Sequence, residues 1–223
     1  MFNNRPDLIL WDWDNTLINT RPVVALALGA LARQNGKPLP SDRDIDDVIG
    51  SHIGQYWFDV YGADPLPWID RFLDLYQMYA DRVSLFTETR KILAWVQSCG
   101  IPQVVASNKN QDILDGEADR FGLRSYFDKV VGATPRGFAK PTPEYARHIL
   151  GQAHPQRMIM IGDGLSDMLF AKTLGATGVL IRPKHSVGTV PHDVQADNLS
   201  AVWQWLRHVI VGPSSRVSGE TLR

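Results

Sequence analysis

Short apolar runs alternate with longer stretches of helical periodicity along most of the chain. Five of these runs predict buried strands, at residues 8–13, 104–106, 129–131, 158–161 and 178–181. Each run is apolar along its whole length, which is typical of strands in a parallel sheet covered on both faces. Helical periodicity predicts helices at residues 87–98, 112–121, 142–151, 167–174 and 200–210. This alternation predicts an α/β fold with a doubly wound parallel sheet.

The segment between the first predicted strand and residue 87 does not follow this alternation. It contains no convincing strand, and helical periodicity recurs at residues 22–34, 42–49 and 67–83. A crossover this long indicates either a functional insertion or a missed strand. We interpret residues 19–83 as an inserted all-helical domain, and residues 1–18 and 84–211 as the α/β core. The polar segment 212–223 is expected to be a flexible tail.

The composition excludes several classes of partner. The chain has 223 residues, 44% of them hydrophobic, a formal charge of −1 and an isoelectric point of about 6.6. This near-neutral balance provides no electrostatic attraction for nucleic acid or for an anionic membrane. No apolar stretch reaches the ~20 residues of a membrane span, and the N-terminus lacks the pattern of a secretory signal. The single cysteine, Cys99, fits a reducing compartment, so we expect a cytoplasmic protein. We expect it to be a monomer or a homodimer.

Polar side chains follow four of the predicted strands, where an open parallel sheet has its active crevice. In strand order they are Asp12 and Asp14, Ser107 and Asn108, Lys140, and Asp163 with Asp167 one helical turn later. Polar side chains at four strand ends indicate a functional site more specifically than any single short motif does. The sequence therefore predicts a functional site at this edge of the sheet.

The carboxylates at these strand ends predict a bound cation. Strand periodicity places Asp12 and Asp14 on one side of the first strand, and Asp163 approaches from a neighbouring strand. Two carboxylates ~5 Å apart repel by roughly 3 kcal/mol at an effective dielectric constant of 20, so a group of three or four requires a compensating charge. An all-oxygen site suits Mg²⁺. The sequence has no cluster of histidines and cysteines with zinc spacing.

The remaining polar groups suit a phosphate. Ser107 offers a hydroxyl and a backbone N–H, Lys140 offers a positive charge, and Thr16 offers a second hydroxyl just past the aspartates. Together with Mg²⁺ these groups would neutralise a dianionic phosphoryl group, whose transfer depends mainly on positioning and electrostatics. The chain has no GxxxxGK[ST] loop, which argues against nucleoside triphosphate binding of that type.

Four motifs occur in a fixed order: DWDNT at 12–16, SN at 107–108, the lysine of KPTPE at 140–144, and GDGLSD at 162–167. With these motifs the chain resembles the haloacid dehalogenase superfamily, and within it the phosphoglycolate phosphatase-like members with a helical cap inserted after the first strand. The resemblance covers residues 7–182. It implies a Rossmann-like core and a phosphoric monoester hydrolase that acts on a small-molecule phosphate ester.

The resemblance also implies a role for each motif residue. Asp12 would be the nucleophile that forms an aspartyl-phosphate, and Asp14 would be the general acid and base. Phosphate binding would involve Thr16, Ser107, Asn108 and Lys140. Mg²⁺ would be bound by Asp12, the backbone carbonyl of Asp14, Asp163 and, as an outer ligand, Asp167.

Several interpretations stay open at this point. A sugar phosphomutase uses the same catalytic residues, and a non-catalytic binding protein could keep the same fold.

In the predicted insert, His52 and Gln55 could contact the leaving group, or they could lie in an ordinary turn between helices. Asn15 stands where the family most often has glycine; a tight turn remains feasible because asparagine tolerates positive φ well. Trp11 and Trp13 are expected to pack in the core.

Overall fold

A parallel sheet forms the centre of the fold. The computed structural model describes residues 5–50, 55–134, 138–152, 155–182 and 190–212. The strands in these ranges are β1 (Leu8–Trp11), β2 (Ile18–Asn19), β3 (Ser84–Leu85), β4 (Gln103–Asn110), β5 (Lys129–Ala133), β6 (Met158–Gly162), β7 (Thr177–Ile181) and β8 (Val194–Ala196). The order in the six-stranded sheet is β5-β4-β1-β6-β7-β8. All of its neighbouring strands are parallel, which confirms the predicted doubly wound α/β core.

The helices fall into two groups along the chain. Four lie between β2 and β3 and form the helical insert: α1 (Arg21–Gln34), α2 (Asp42–Gly50), α3 (Gln55–Tyr61) and α4 (Leu66–Met78). The core helices are α5 (Thr89–Ser98), α6 (Gln111–Arg120), α7 (Pro143–Leu150), α8 (Leu165–Leu174) and α9 (Leu199–Val211). A proline lies in the first turn of both α1 and α4, where its missing N–H carries no cost.

The core covers both faces of the sheet, as the continuous apolar strands predict. Ile9 and Trp11 of β1 pack in one cluster with residues of α5, α6 and α9. Leu8 and Leu10 point the other way and pack in a second cluster with residues of α7 and α8. Trp13, just past β1, is fully buried in the first cluster together with Trp11, so the prediction of core tryptophans is confirmed.

Three short strands were not predicted. The expectation of no strand between β1 and α5 is wrong, because β2 and β3 pair antiparallel, with Ile18 opposite Leu85. Each has only two residues, too few to show the period of two that identifies a strand. The edge strand β8 has three residues and pairs with β7. The β2–β3 pair joins the two connections between the core and the helical insert.

Two boundaries differ from the prediction by four residues or more. Strand β4 continues through the polar residues Ser107 to Asn110, with an irregular register against β5 after Ala106. Helix α4 ends at Met78, and a separate 3-10 helix covers Ala80–Arg82. In neither case does the apolar pattern change at the observed boundary. Across the described ranges, no helix combines the length and the apolar character needed to cross a bilayer.

Candidate active site

The turn after β1 carries the first two aspartates. The backbone N–H of Asp12 donates to the carbonyl of Ile161 at 2.8 Å, so Asp12 continues the pairing with β6. The chain then turns sharply at Asn15, whose φ is +55°. Since β1 ends before Asp14, strand periodicity does not position the Asp14 carboxylate, and that part of the sequence argument is wrong. The turn sends the Asp12 and Asp14 side chains to different partners.

Three buried carboxylates meet at the ends of β1 and β6. Asp12, Asp163 and Asp167 each place an oxygen within 4.8 Å of the other two. Gly162 allows this approach, because a Cβ at that position would lie 2.2 Å from Cγ of Asp167. The backbone N–H of Gly164 donates to Oδ2 of Asp167 at 3.0 Å, which fixes this carboxylate at the start of α8. An all-oxygen cluster of this kind fits a hard divalent cation such as Mg²⁺.

Lys140 is the cation that the structure places against this cluster. Its Nζ lies 2.7 Å from Oδ1 of Asp12 and forms a second ion pair with Asp167. Burial acts to lower the pKa of Lys140, but the two carboxylates outweigh it and the pKa is raised. Burial, together with repulsion from Asp167, raises the pKa of Asp12 to about 6 despite the opposing effect of Lys140. Lys140 and the Coulombic attraction of Arg182 for Asp163 and Asp12 offset only part of the negative charge of three carboxylates, which favours binding of a cation.

Ser107 and Asn108 support this arrangement from β4. Oδ1 of Asn108 accepts a hydrogen bond from the backbone N–H of Lys140 at 2.9 Å, which positions the lysine. The backbone N–H of Ser107 donates to the hydroxyl of Tyr145 at 3.0 Å, and that hydroxyl donates to the carbonyl of Val131 at 2.7 Å. The prediction that this N–H is available to a phosphate is therefore wrong. Phosphate binding by the Ser107 hydroxyl stays a prediction.

The carboxylate of Asp14 belongs to a second charged group that sequence analysis missed. Nζ of Lys109 lies 2.6 Å from Oδ1 of Asp14 and 2.9 Å from Oε2 of Glu117. All three side chains are buried or nearly so, with exposed fractions of 15% or less. Burial and the charge of Glu117 raise the pKa of Asp14, although Lys109 opposes the shift. A raised pKa suits a carboxyl group that must donate a proton.

This second group also reaches the helical insert. The hydroxyl of Tyr76, on α4, donates to Oε1 of Glu117 at 2.6 Å and lies 3.0 Å from Nζ of Lys109. The indole Nε1 of Trp13 donates to Oε2 of Glu117 at 2.8 Å. We call Asp14, Lys109, Glu117, Tyr76 and Trp13 the acid-base network. It connects the predicted proton donor to a helix of the insert through buried polar contacts.

The sequence contained one usable signal for the acid-base network. Glu117 lies four residues after Ile113 and three after Leu114, both of which are buried on α6. A charged residue at these spacings lies on the apolar face of its helix, and a buried carboxylate requires a partner. Nothing in the sequence indicated that the partners are Lys109 and Tyr76.

Arg182, at the end of β7, fixes the turn that carries Asp14. Its Nε donates to the carbonyl of Asn15 at 3.0 Å, and its Nη2 donates to that of Thr16 at 2.8 Å. The guanidinium lies 3.8 Å from the centre of the Phe86 ring. Burial lowers the pKa of Arg182. Sequence analysis missed this residue because it contacts the backbone, and backbone contacts leave no pattern in side-chain identity.

The structure gives the side chains of Thr16 and Gln55 no hydrogen bond to the described members of either charged group. Thr16 is fully buried, and its hydroxyl has no hydrogen-bond partner within the part of the chain that the structure describes. Gln55 is exposed in the first turn of α3 and donates to Oδ1 of Asp59 at 3.0 Å. His52 lies outside the described residues. The roles of Thr16, His52 and Gln55 in substrate binding therefore stay predictions.

Replacing Asn15 with glycine is expected to leave activity within about twofold of wild type. Glycine adopts the observed positive φ at no steric cost, and the side-chain amide nitrogen of Asn15 is buried without a hydrogen-bond partner in the described ranges. Steady-state kinetics with a thermal melt of the variant would check this. Asn15→Val is the control, since a β-branched residue at positive φ is strained by about 1–2 kcal/mol. Loss of turnover in a folded Asn15→Gly protein would show that the side chain takes part.

Comparison with known proteins identifies the family. The sequence model of the haloacid dehalogenase-like hydrolase family matches residues 9–181, so the chain belongs to this family. This confirms the membership that the four motifs predict and makes the protein a hydrolase.

Individual relatives support the same assignment. A phosphoglycolate phosphatase of Neisseria gonorrhoeae is 32% identical over 185 residues, which cover 77% of this chain and 78% of that relative. A phosphoglycolate phosphatase of Caulobacter vibrioides is 29% identical over 188 residues, covering 78% of each chain. The crystal structure of a predicted phosphatase from Clostridium acetobutylicum has a TM-score of 0.76 at 15% identity and covers 91% of this chain and 98% of its own. This last likeness shows the shared fold.

Proposed function

We propose that the protein is a Mg²⁺-dependent phosphatase that hydrolyses a small-molecule phosphate monoester through an aspartyl-phosphate on Asp12. The observation that carries this proposal is the buried cluster at the ends of β1 and β6. There Asp12 lies within 4.8 Å of Asp163 and Asp167 and is paired with Lys140 at 2.7 Å. The relatives named phosphoglycolate phosphatase support the same reaction class. A cytoplasmic location and residues 19–83 as the cap are part of the proposal.

The residues at the cluster fit the implied metal. Mg²⁺ would be held by the carboxylates of Asp12 and Asp163 and the backbone carbonyl of Asp14, with Asp167 as an outer ligand. When bound, it would supply positive charge that neutralises the phosphoryl oxygens and holds Asp12 in its ionised form.

In the first half of the reaction, a carboxylate oxygen of Asp12 attacks phosphorus and the bond from phosphorus to the ester oxygen breaks. Asp14 donates its proton to that leaving oxygen, so the alcohol departs neutral. Lys140 lies against Asp12 and neutralises charge on the transferring group. The raised pKa of Asp14 favours the protonated state that this step requires.

In the second half, Asp14 is the base. Its carboxylate takes a proton from the water that attacks the phosphorus of the aspartyl-phosphate. The bond between Asp12 and phosphorus breaks, and inorganic phosphate is released. Lys109, at 2.6 Å, stabilises the carboxylate form of Asp14 and so keeps the group able to accept the proton. Burial raises the pKa of Asp14 and Lys109 opposes the shift, which suits a residue that must both donate and accept a proton.

A phosphate-release screen tests the proposed function. Purified protein with Mg²⁺ is expected to release phosphate from a panel of alkyl, aryl, sugar and glycolyl esters. Chelation of the metal should stop the reaction, and added Mg²⁺ should restore it. Beryllofluoride, which mimics a bound phosphoryl group, should attach to Asp12 and give a ¹⁹F signal. No turnover of any ester together with no beryllofluoride adduct would overturn the proposal and favour a non-catalytic binding protein.

The same screen distinguishes a phosphomutase. Glucose 1-phosphate would be converted to its 6-phosphate isomer without release of phosphate, and an assay for glucose 6-phosphate detects this directly. Phosphate release at the rate of substrate loss is the expected result for a phosphatase.

A further inference from the structure

A cavity of about 160 Å³ lies between the core and the helical insert. Its floor is formed by the polar ends of the core, namely Asp14, Asn108, Lys109 and Asn110. Asp14 is the group that would protonate the leaving oxygen, so the alcohol part of the substrate extends towards this side of the site. The cavity is therefore where the leaving group would be bound if the proposed phosphatase function is correct.

The walls of the cavity are mainly apolar and come from all four helices of the insert. Val24 of α1, Val48 of α2, Trp57 of α3, and Ile69, Phe72 and Leu73 of α4 all contribute side chains. A cavity of roughly this volume has room for a group of the size of a benzene ring. Its walls match an apolar occupant in both chemistry and size.

The charges of the described residues that line the cavity do not suit an anionic leaving group. Among the described lining residues, Asp14 and Asp70 are acidic and Lys109 is the cation. The ammonium of Lys109 is already paired with Asp14 and with Glu117 behind the cavity floor. Even with Asp14 protonated, as the first half of the reaction requires, Asp70 and Glu117 outnumber Lys109. A carboxylate on the leaving group would therefore face an excess of negative charge and would compete with Glu117 for the lysine.

We propose that this cavity selects phosphate monoesters whose leaving group is an uncharged, mainly apolar alcohol, in preference to esters of hydroxy acids. The inference rests on the proposed phosphatase function and narrows its substrate class. The proposed preference differs from the substrate in the names of the relatives, because phosphoglycolate carries a carboxylate on its leaving group.

Matched pairs of substrates test the inference with the wild-type protein and Mg²⁺. Propyl phosphate and 3-phosphooxypropanoate differ by a terminal carboxylate, and we expect kcat/KM to be at least tenfold higher for propyl phosphate. In the series from methyl to butyl phosphate, kcat/KM should rise by up to fourfold per methylene, which corresponds to about 0.8 kcal/mol for each buried CH₂ group. Hydrolysis of both esters with a preference for the carboxylate would overturn the inference and leave the phosphatase function standing. Hydrolysis of neither, nor of any other ester in the screen, would overturn both.

A charge added to the cavity wall provides the second test. Leu66 lines the cavity at the start of α4 and is 51% exposed, so Leu66→Arg should fold. The variant should shift the ratio of kcat/KM values towards 3-phosphooxypropanoate by at least tenfold, mainly through KM. Met78→Arg is the matched control, because Met78 is 69% exposed at the other end of α4 and does not line the cavity. An equal shift in both variants, or none in either, would overturn the placement of the leaving group.

Discussion

Replacing Asp12 with asparagine is expected to lower turnover by on the order of 10⁴-fold or more, as for other enzymes that lose their nucleophile. An amide oxygen cannot form the proposed acyl-phosphate, and no other described carboxylate takes its place, since Asp163 and Asp167 belong to the proposed metal site. The change keeps the size of the side chain, so the variant should fold. Phosphate release under saturating substrate, with circular dichroism to confirm folding, measures both effects.

Two controls make the Asp12 result specific. Asp81→Asn makes the same chemical change at an exposed position on the 3-10 helix, and it should keep wild-type turnover. In wild-type protein quenched with acid during turnover, mass spectrometry should find the phosphoryl group on the peptide that contains residue 12. Turnover above about 1% of wild type in a folded Asp12→Asn protein would exclude Asp12 as the nucleophile, because it corresponds to less than ~3 kcal/mol of lost transition-state stabilisation.

The sequence predicted the core and the acidic cluster because both depend on strong local patterns. Strands β1 and β6 are continuous apolar runs followed directly by an aspartate, and β4 has an apolar centre followed by Ser107 and Asn108. The carboxyl ends of parallel strands meet at one edge, so placing the strands was enough to predict that Asp12 and Asp163 lie at the same edge, whereas Lys140 lies in a loop beyond β5 and is positioned by Asn108. The apolar pattern predicts the strands and their parallel direction, whereas the order β5-β4-β1-β6 that makes β1 and β6 neighbours is known only from the structure.

The acid-base network could not be predicted because its contacts are distant in sequence and depend on the packing of the insert. Tyr76 reaches Glu117 across 41 positions of the chain, and Lys109 reaches Asp14 across 95. The insert is connected to the core at the short β2–β3 pair, which has too few residues to show periodicity. The role of Lys109 was missed for a related reason. A lysine in the sequence does not indicate which carboxylates it pairs with, and the pairing with Glu117 is known only from the structure.

Replacing Lys109 with methionine is expected to lower the free energy of unfolding by about 3–5 kcal/mol, the usual cost of removing one partner from a buried ion pair. Methionine keeps the length of the side chain, but Asp14 and Glu117 would remain buried without the ammonium that lies 2.6 and 2.9 Å from them. Burial acts to lower the pKa of Lys109, but Asp14, Tyr76 and Glu117 outweigh it and the pKa is raised well above its ordinary value. The stabilisation is therefore complete at neutral pH and is lost only as the pH rises through the raised pKa.

Turnover of Lys109→Met should also fall, by roughly 10²-fold, since Asp14 loses the charge that stabilises its carboxylate form. Urea denaturation at pH 7 measures the stability change, and Lys172→Met, at an exposed position on α8, should change stability by less than about 0.5 kcal/mol. Adding Glu117→Gln to Lys109→Met removes one uncompensated carboxylate and should recover about 1–3 kcal/mol. If Lys109→Met unfolds at the same urea concentration as wild type, the acid-base network does not stabilise the fold. Recovered stability without recovered turnover would instead show that Lys109 acts on Asp14 independently of Glu117.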